Sequence, residues 1–545
     1  MTNRGRRAAR ASVLAASSVV VCTLSACDDL DAPNLEPHDA PVSAPEVRPD
    51  TPGNGLQFNF ESDDVIETFT SSDDKFLIHF TRTGPNAVPS KDTDASGIPD
   101  FVEQVASVYV DVLAFYEGLG FRPPESDAAI ADNGGDGKFD VYLVDFAGVG
   151  DGAFRQDSCL ASNSSRCIGF MTEENDFTGY GYPSTLIGNR ILGSHEFFHA
   201  VQAAYDVNQG NVFAEATAVW ATEAFDPSLN DLEGFVAGYL DNVDRPLDTP
   251  LPGPVDPFSY GAAIFFQFLD EHYGRETIRT LWERCEDGAN GTADPQWMSE
   301  LDPMLQDVAG VSFADAMVDF ATWNLYTGDR ADPSVAYASG AAYGDVKTTP
   351  VTLPYADDGL RMYYASTQYY AAAPEAGGPL TAALVAPPDA PDATEGLALV
   401  LATESDSEIL ATKTVSDVTA GTETVAVDGA NRVVVAVVNT AISGDSKKPG
   451  LCIGTQEEVA TCKATLFASG SGGGGTGGSG GGATDGGDAT DDGCGCAVAG
   501  DRTSSAGWAA LFALALASIR RGRRPIRSMG RGTRDTPLAG RERRG

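Results

Sequence analysis

Residues 191–202 read Ile191-Leu192-Gly193-Ser194-His195-Glu196-Phe197-Phe198-His199-Ala200-Val201-Gln202. Two histidines four residues apart on a helix share one face, one turn from each other. Both imidazoles can therefore reach a single tetrahedral Zn²⁺. Glu196 follows the first histidine, where a carboxylate sits beside a zinc-bound water and can take its proton. Zinc lowers the pKa of such a water toward about 7. The chain has only 5 His, so a chance H-E-x-x-H is expected on the order of a few times in a thousand such chains. The same helix carries an apolar face for a core: Ile191, Phe198, Val201 and Tyr205.

A third protein ligand is required. A metzincin places Gly and His where this chain has Gln202 and Tyr205, so that class is excluded. His79 and His272 lie in other elements and His38 in an N-terminal tether. A carboxylate on a following helix remains, as in gluzincins. The segment Phe213-Ala214-Glu215-Ala216-Thr217-Ala218-Val219-Trp220 resembles the gluzincin segment in which a Glu opens a helix before a small residue and an aromatic. That resemblance puts the third ligand at Glu215. Glu223 competes, although eight residues further on it points about 80° away around the helix. Thermolysin-like sites often carry a second carboxylate four residues after the ligand; here that position is Val219, which leaves the outer shell unassigned. The run Ser259 to Gly274 looks like the helix after the zinc site in such peptidases, and Tyr260 within it is a candidate donor to a developing oxyanion. Packing alone is the other reading of Tyr260.

Gly97-Ile98-Pro99-Asp100-Phe101-Val102-Glu103, the zinc motif and the Glu215 segment together resemble a family of secreted metalloproteases from myxobacteria. The likeness covers about 75–330 and implies a zincin-like fold. Residues 92–103 also fit a twelve-residue calcium loop: Asp92, Asp94, Ser96, Ile98 through its carbonyl, Asp100 and Glu103 would be the ligands, with Gly97 at the turn. Ser96 and Pro99 depart from the usual pattern. Asp132, Asp136 and Asp140 form a poorer second set, read first as an acidic hairpin turn.

Residues 56–335 read as α+β, with strands at 76–80 and 139–145 and a helix at 101–116. After about 185 the chain is mainly helical, at 188–207, 212–226, 231–242, 259–273, 275–287 and 312–327. Residues 340–468 change character. Short β-rich runs at 380–385, 396–403, 422–427, 432–439 and 461–468, separated by Gly, Pro and Asp turns, predict a small β-sandwich. The expected architecture is therefore an α+β zincin-like metalloprotease domain at 56–335 followed by a small all-β domain at 340–468. Residues 27–55, rich in Pro and Asp, read as a disordered tether, and the Gly-rich 469–492 as a flexible linker.

The two ends read as addresses. Residues 1–26 have an Arg cluster and an apolar run at 11–21, a secretory signal. Leu24-Ser25-Ala26-Cys27 resembles a bacterial lipobox, which implies cleavage before Cys27 and lipid on its thiol. Residues 493–545 hold Gly493-Cys494-Gly495-Cys496, an apolar stretch at 503–519 and Arg520-Arg521-Gly522-Arg523-Arg524. They resemble the MYXO-CTERM tail, which implies a sorting protease, a membrane anchor and an extracellular-facing, outer-membrane location. Export fits the cysteines. Cys159 with Cys167, and Cys452 with Cys462, could each close a small loop in an oxidising compartment. Cys285 is left over and reads as a buried apolar side chain.

Net charge is −42, from 36 Lys and Arg against 78 Asp and Glu. Without the two basic ends the middle of the chain stands at −54. Such a surface disfavours a nucleic-acid partner, whose phosphates need a basic face. Two functions follow as expectations. One is a surface-anchored zinc endopeptidase that cleaves extracellular proteins with Glu196 as general base. The other is a non-catalytic, calcium-stabilised adhesin or binding protein on a zincin scaffold. A zinc hydrolase of non-peptide bonds would share the motif.

Overall fold

The structure, a computed structural model, describes residues 47–51, 58–130, 133–252, 256–288, 293–374, 379–415, 418 and 423–468. Cys27, Asp132, the linker and the C-terminal tail lie outside them. The fold is α+β. A first sheet holds β1 (Glu67–Thr70), β2 (Phe76–Phe80), β3 (Phe139–Val144), β4 (Gly152–Leu160) and β5 (Asn163–Glu174) in the order β1-β2-β3-β5-β4. β2, β3 and β5 run parallel; β1 and β4 are antiparallel edges. The disulfide Cys159–Cys167 bridges the β4–β5 hairpin.

Strand β3 shows how this sheet is covered. Val141 and Leu143 face α1 (Asp100–Gly118) and α2 (Thr185–Ala203). Tyr142 and Val144, at the alternate positions, pack on the other face with Phe58, Phe60, Phe146 and Phe170. The chain's own N-terminal segment thus covers that face. Arg48, expected within the tether, is 2% exposed and ion-paired with Asp127, Asp140 and Asp157 at 2.7, 2.5 and 2.9 Å.

A helical layer continues from α2 through α3 (Asn211–Phe225), α4 (Asp231–Phe235), α5 (Ala237–Leu240), α6 (Pro257–Gly261), α7 (Ala263–Tyr273), α8 (Glu276–Arg284), α9 (Trp297–Val308) and α10 (Phe313–Trp323). The helix expected at 231–242 is two short ones, broken at Val236. Helix α9 was not expected; Pro303 lies inside it. Strands β1, β4 and β5 were also not expected from sequence.

The C-terminal part is two sheets. One holds β6 (Thr349–Pro350), β8 (Ser366–Ala372), β10 (Leu397–Ser405), β11 (Glu408–Val415) and β13 (Arg432–Asn439), in the order β11-β10-β13-β8-β6. The other holds β7 (Tyr355–Asp357), β9 (Leu380–Val385), β12 (Glu423–Val425) and β14 (Gly450–Gly454), in the order β12-β9-β14-β7. Leu397, Leu399 and Leu401 point between the two sheets, with Val433, Val435 and Val437 opposite. Ala398, Val400 and Ala402, on the alternate face, join the apolar core of the helical layer, against α10. The inner strands β10 and β13 are therefore buried on both faces, which explains their continuous apolar runs, whereas the edge strands β11 and β6 are largely exposed. The sandwich expected at 340–468 is present, but it shares a core with the segment before it. The expected strand at 461–468 is instead the end of a helix, α11 (Gln456–Thr465). Thr455 and Glu458 form its capping box, and Cys452–Cys462 ties it to β14. Cys285 is free and buried. Among the described residues no helix is long and apolar enough to cross a membrane.

Candidate metal centre and its cleft

Helix α2 starts at Ser184, whose side chain accepts the Ile187 N–H. It is sheathed by α1, α3 and the sheet, and Ile191, Phe198, Val201 and Tyr205 are all buried as their spacing predicts. His195 and His199 present their rings 5.1 Å apart, nearly perpendicular. A short turn then reverses the chain into α3. Two cross-links set the register of α2 against α3. The Gln202 amide donates to the Ala214 carbonyl at 2.8 Å and the Thr217 hydroxyl at 3.0 Å. Ser194 Oγ donates to Thr222 Oγ1 at 3.0 Å.

That register brings Glu215 to the histidines. Its Oε2 lies 3.3 Å from His195 Nε2 and 3.7 Å from His199 Nε2. One ligand atom from each of the three residues lies within 4.8 Å of the others. A tetrahedral ion with arms of about 2.0–2.1 Å has edges of about 3.4 Å. Two imidazoles and a carboxylate with that spacing fit zinc in both donor chemistry and size. Burial alone would raise the Glu215 carboxyl; the two imidazoles outweigh it and hold Glu215 well below the usual range. Burial would likewise lower His199, but Glu215, Glu196 and Gln202 raise it to about 9. The two shifts are the two sides of one attraction between the Glu215 carboxylate and the imidazoles.

Glu223 does not join this group. It points away, 3% exposed, with Oε2 lacking a hydrogen-bond partner. Burial, then Glu233, Asp231, Glu271 and Asp226, raise it to about 8. Val219 is buried in the core. The outer partner of His199 is Gln202. Its Oε1 meets His199 Nδ1 at 2.8 Å, and because the amide nitrogen already donates twice, Oε1 is the acceptor. With a metal on Nε2, the remaining His199 proton would sit on Nδ1, donated to Gln202. The sequence held that signal, since Gln202 is three residues after His199, but not its target on α3. The buried Asp231 carboxylate interacts electrostatically with His195.

Glu196 lies in a cleft of about 390 Å³ shared with His199, Glu215 and Tyr260. One wall is β4, residues 152–156. The Phe154 N–H points away from β5 and donates to Glu196 Oε2 at 3.2 Å. Asp151 also lines the cleft, with the Tyr182 hydroxyl on its Oδ2 at 2.5 Å. Burial raises Asp151 to about 7, Tyr182 opposes this, and the nearby Glu196 charge adds to it. Tyr260 stacks on His195, rings 5.8 Å apart and 9° from parallel. Burial, then Glu215 and Glu196, push its phenol well above the ordinary value, so it stays a donor.

Among the described residues, the carboxylates of Asp92, Asp94, Asp100 and Glu103 do not form a convergent group of three. Asp100 accepts from Thr93 N and Oγ1 at 2.7 and 2.5 Å and from Lys91 Nζ at 3.0 Å. Asp92 accepts the Ser96 and Gly97 N–H groups at 3.2 and 3.0 Å, and Asp94 that of Ser96 at 2.9 Å. The Ser96 hydroxyl meets the Ile98 carbonyl at 3.3 Å, and Glu103 sits in the first turn of α1. In the second set, Asp136 holds Lys138 and Asp140 belongs to the Arg48 network, with His79 Nε2 at 2.6 Å. The chain matches no family model and no curated protein.

Proposed function

We propose that this chain is an exported, surface-anchored zinc metallopeptidase of zincin-like fold that hydrolyses peptide bonds of extracellular proteins. The observation that carries the reading is the convergence of His195, His199 and Glu215 on one point in a cleft that also holds Glu196. Zinc, when bound, supplies a Lewis acid that polarises a carbonyl and acidifies water near neutral pH.

The chain's own groups do the rest. His195, His199 and Glu215 hold the ion, with Gln202 fixing the His199 tautomer. Glu196, anchored through Oε2 by the Phe154 N–H, takes a proton from the attacking water as its oxygen bonds to the scissile carbon. It then passes that proton to the leaving nitrogen as the C–N bond breaks. Tyr260 donates its O–H to the oxyanion. The outward edge of β4 offers main-chain groups to an extended substrate, as in strand addition. Lipidation at Cys27 and sorting through 493–545 would hold the enzyme at the surface.

The test pairs zinc stoichiometry with digestion of a denatured protein mixture, with and without a chelator. We expect one zinc per chain and chelator-sensitive cleavage. Glu196→Gln should keep its zinc and lose about 10²–10⁴ in kcat/KM. Full activity in that variant removes Glu196 as base. A folded, metal-supplied sample without zinc favours the non-catalytic surface module.

A further inference from the structure

The run of β4 that lines the cleft, residues 152–156, ends at a bulge. Gln156 lies opposite Gly169 and Ser158 opposite Ile168, so Asp157 is an extra residue with nothing facing it in the pairing. A bulge bends its strand, increases the local twist and ends regular pairing. The hairpin is shaped for it, because a Cβ at Gly169 would overlap the Arg155 carbonyl and the Phe154 ring. Asp157 turns inward and is 3% exposed. Its Oδ2 accepts from Arg48 Nε at 3.1 Å and from Arg48 Nη2 at 2.9 Å. Its Oδ1 is buried with no partner among the described residues, so Arg48 is what holds the side chain in.

Arg48 is fixed to the sheet independently of β4. Nη1 donates to Asp140 on β3 at 2.5 Å and Nη2 to Asp127 at 2.7 Å. The guanidinium also lies over the Phe170 ring of β5, 5.2 Å from its centroid. A guanidinium is a rigid planar fork, so these partners set its plane and the plane sets Asp157. The same N-terminal segment meets the chain on the other side of the run. The Phe60 N–H donates to the Pro49 carbonyl at 3.2 Å, and Phe58 stacks on Phe146 with rings 4.2 Å apart, both of them lining the cleft. The segment therefore brackets residues 152–156 along the chain, through Phe146 before them and Asp157 after them. The three zinc ligands stand elsewhere, on α2 and α3.

We infer that Arg48 is a positioning residue: through the bulge at Asp157 it sets the direction of the β4 edge beside which an extended substrate lies, and fixes where that pairing stops. The inference rests on the peptidase reading above. It is tested by steady-state kinetics on the zinc-loaded protein with two substrates, a long peptide around an observed cut site and its shortest truncation that wild type still cleaves. Asp157→Ala removes the pin and leaves Arg48 paired with Asp127 and Asp140. KM for the long peptide should rise about tenfold, the equivalent of one or two main-chain hydrogen bonds. Its kcat should stay within about twofold, and the KM of the short peptide and the zinc content should stay at their wild-type values. Asp157→Asn keeps an acceptor of the same shape and should restore most of the lost KM. Arg48→Lys keeps the charge but loses the fork; it should act as Asp157→Ala does, and it carries the test should that variant fail to fold. An unchanged KM for the long peptide, or an equal rise for both peptides, overturns the inference and leaves the peptidase standing. A fall in kcat on both peptides with zinc retained places the effect on Glu196 and also overturns it. Zinc-loaded wild type that cleaves no peptide removes the peptidase reading and the inference with it.

Discussion

The region up to about residue 346 and the sandwich after it bury different things. The first encloses carboxylates: Asp140, Asp151, Asp157, Glu173, Glu174, Asp206, Glu223 and Asp231 are all buried. In the sandwich the buried acid among the described residues is Glu404, which pairs with Arg432 at 2.5 Å. The space between its sheets is filled mainly by Leu, Val, Ala and Ile, with Met362 and Tyr370. Removing an acid from water is costly unless it is paired or protonated. A region that buries many of them gives up stability for each one left unpaired, whereas a region that buries hydrocarbon gains it. The division predicts separable mutant effects. Leu401→Ala, at a fully buried position between the sheets, should cost about 2–5 kcal/mol in denaturant unfolding. The folded fraction should still bind one zinc. If the folded variant loses zinc, the two regions are coupled and the contrast fails.

Gln202 sharpens the same contrast from the other side. Gln202→Leu removes the acceptor on His199 and the tie to α3. Zinc affinity should fall about 10–100-fold in competition with a chelator. An unchanged affinity would mean that His199 is oriented by packing alone.

How much of this could be read from the chain depends on the range of each interaction. The histidine pair, Glu196 and the buried face of α2 are periodic within one helix, so local spacing reveals them. The sandwich strands at 380–385 and 432–439 are short apolar runs between turns, also local. Glu215 needed a resemblance, because its approach depends on how α3 folds back. The spacing of Gln202 from His199 is local, but its ties to Ala214 and Thr217 are not, and Asp151 escaped entirely because its partner Tyr182 lies on another segment. Arg48 is the extreme case, since its three carboxylates lie 79 to 109 residues away. The strand expected at 461–468 failed for a different reason. Its composition is ambiguous, and the capping box at Thr455 lies ahead of 461–468.

The buried acids also predict a pH dependence. Glu223 is raised to about 8 by burial and then by acidic neighbours. A raised native pKa means that the folded state holds the proton more tightly. That contribution is fully present below the unfolded value near 4 and is lost as pH rises through about 8. Asp151 and Glu174, raised to about 7, and Glu173, raised to about 8, act with the same sign. Tm should therefore fall between about pH 5 and pH 9. Glu223→Gln removes one contributor, so its Tm should exceed wild type by about 2–4 °C at the alkaline end and match it at the acid end. Equal shifts at both ends would show that the gain comes from packing rather than from charge.

The smallest effect separates buried acids from exposed ones within the first region. Asp100 is held below the usual range, at about 2, first by the Thr93 hydroxyl, then by the Thr93 N–H and Lys91. Together with Asp92 on the Ser96 and Gly97 N–H groups, this makes a loop that closes on its own backbone. Gly97 and Ala95, with φ of 90° and 61°, supply the left-handed turns. Asp100 already accepts from Thr93 and Lys91, so calcium would compete with these bonds for its oxygens. Extracellular sites bind at roughly 10⁻⁴–10⁻³ M, so millimolar calcium should raise Tm by only about 1–2 °C. Asp92→Asn should abolish that rise without touching zinc content. A Tm indifferent to calcium would make 92–103 a self-sufficient turn, and the acids that matter in this molecule would then be the buried ones.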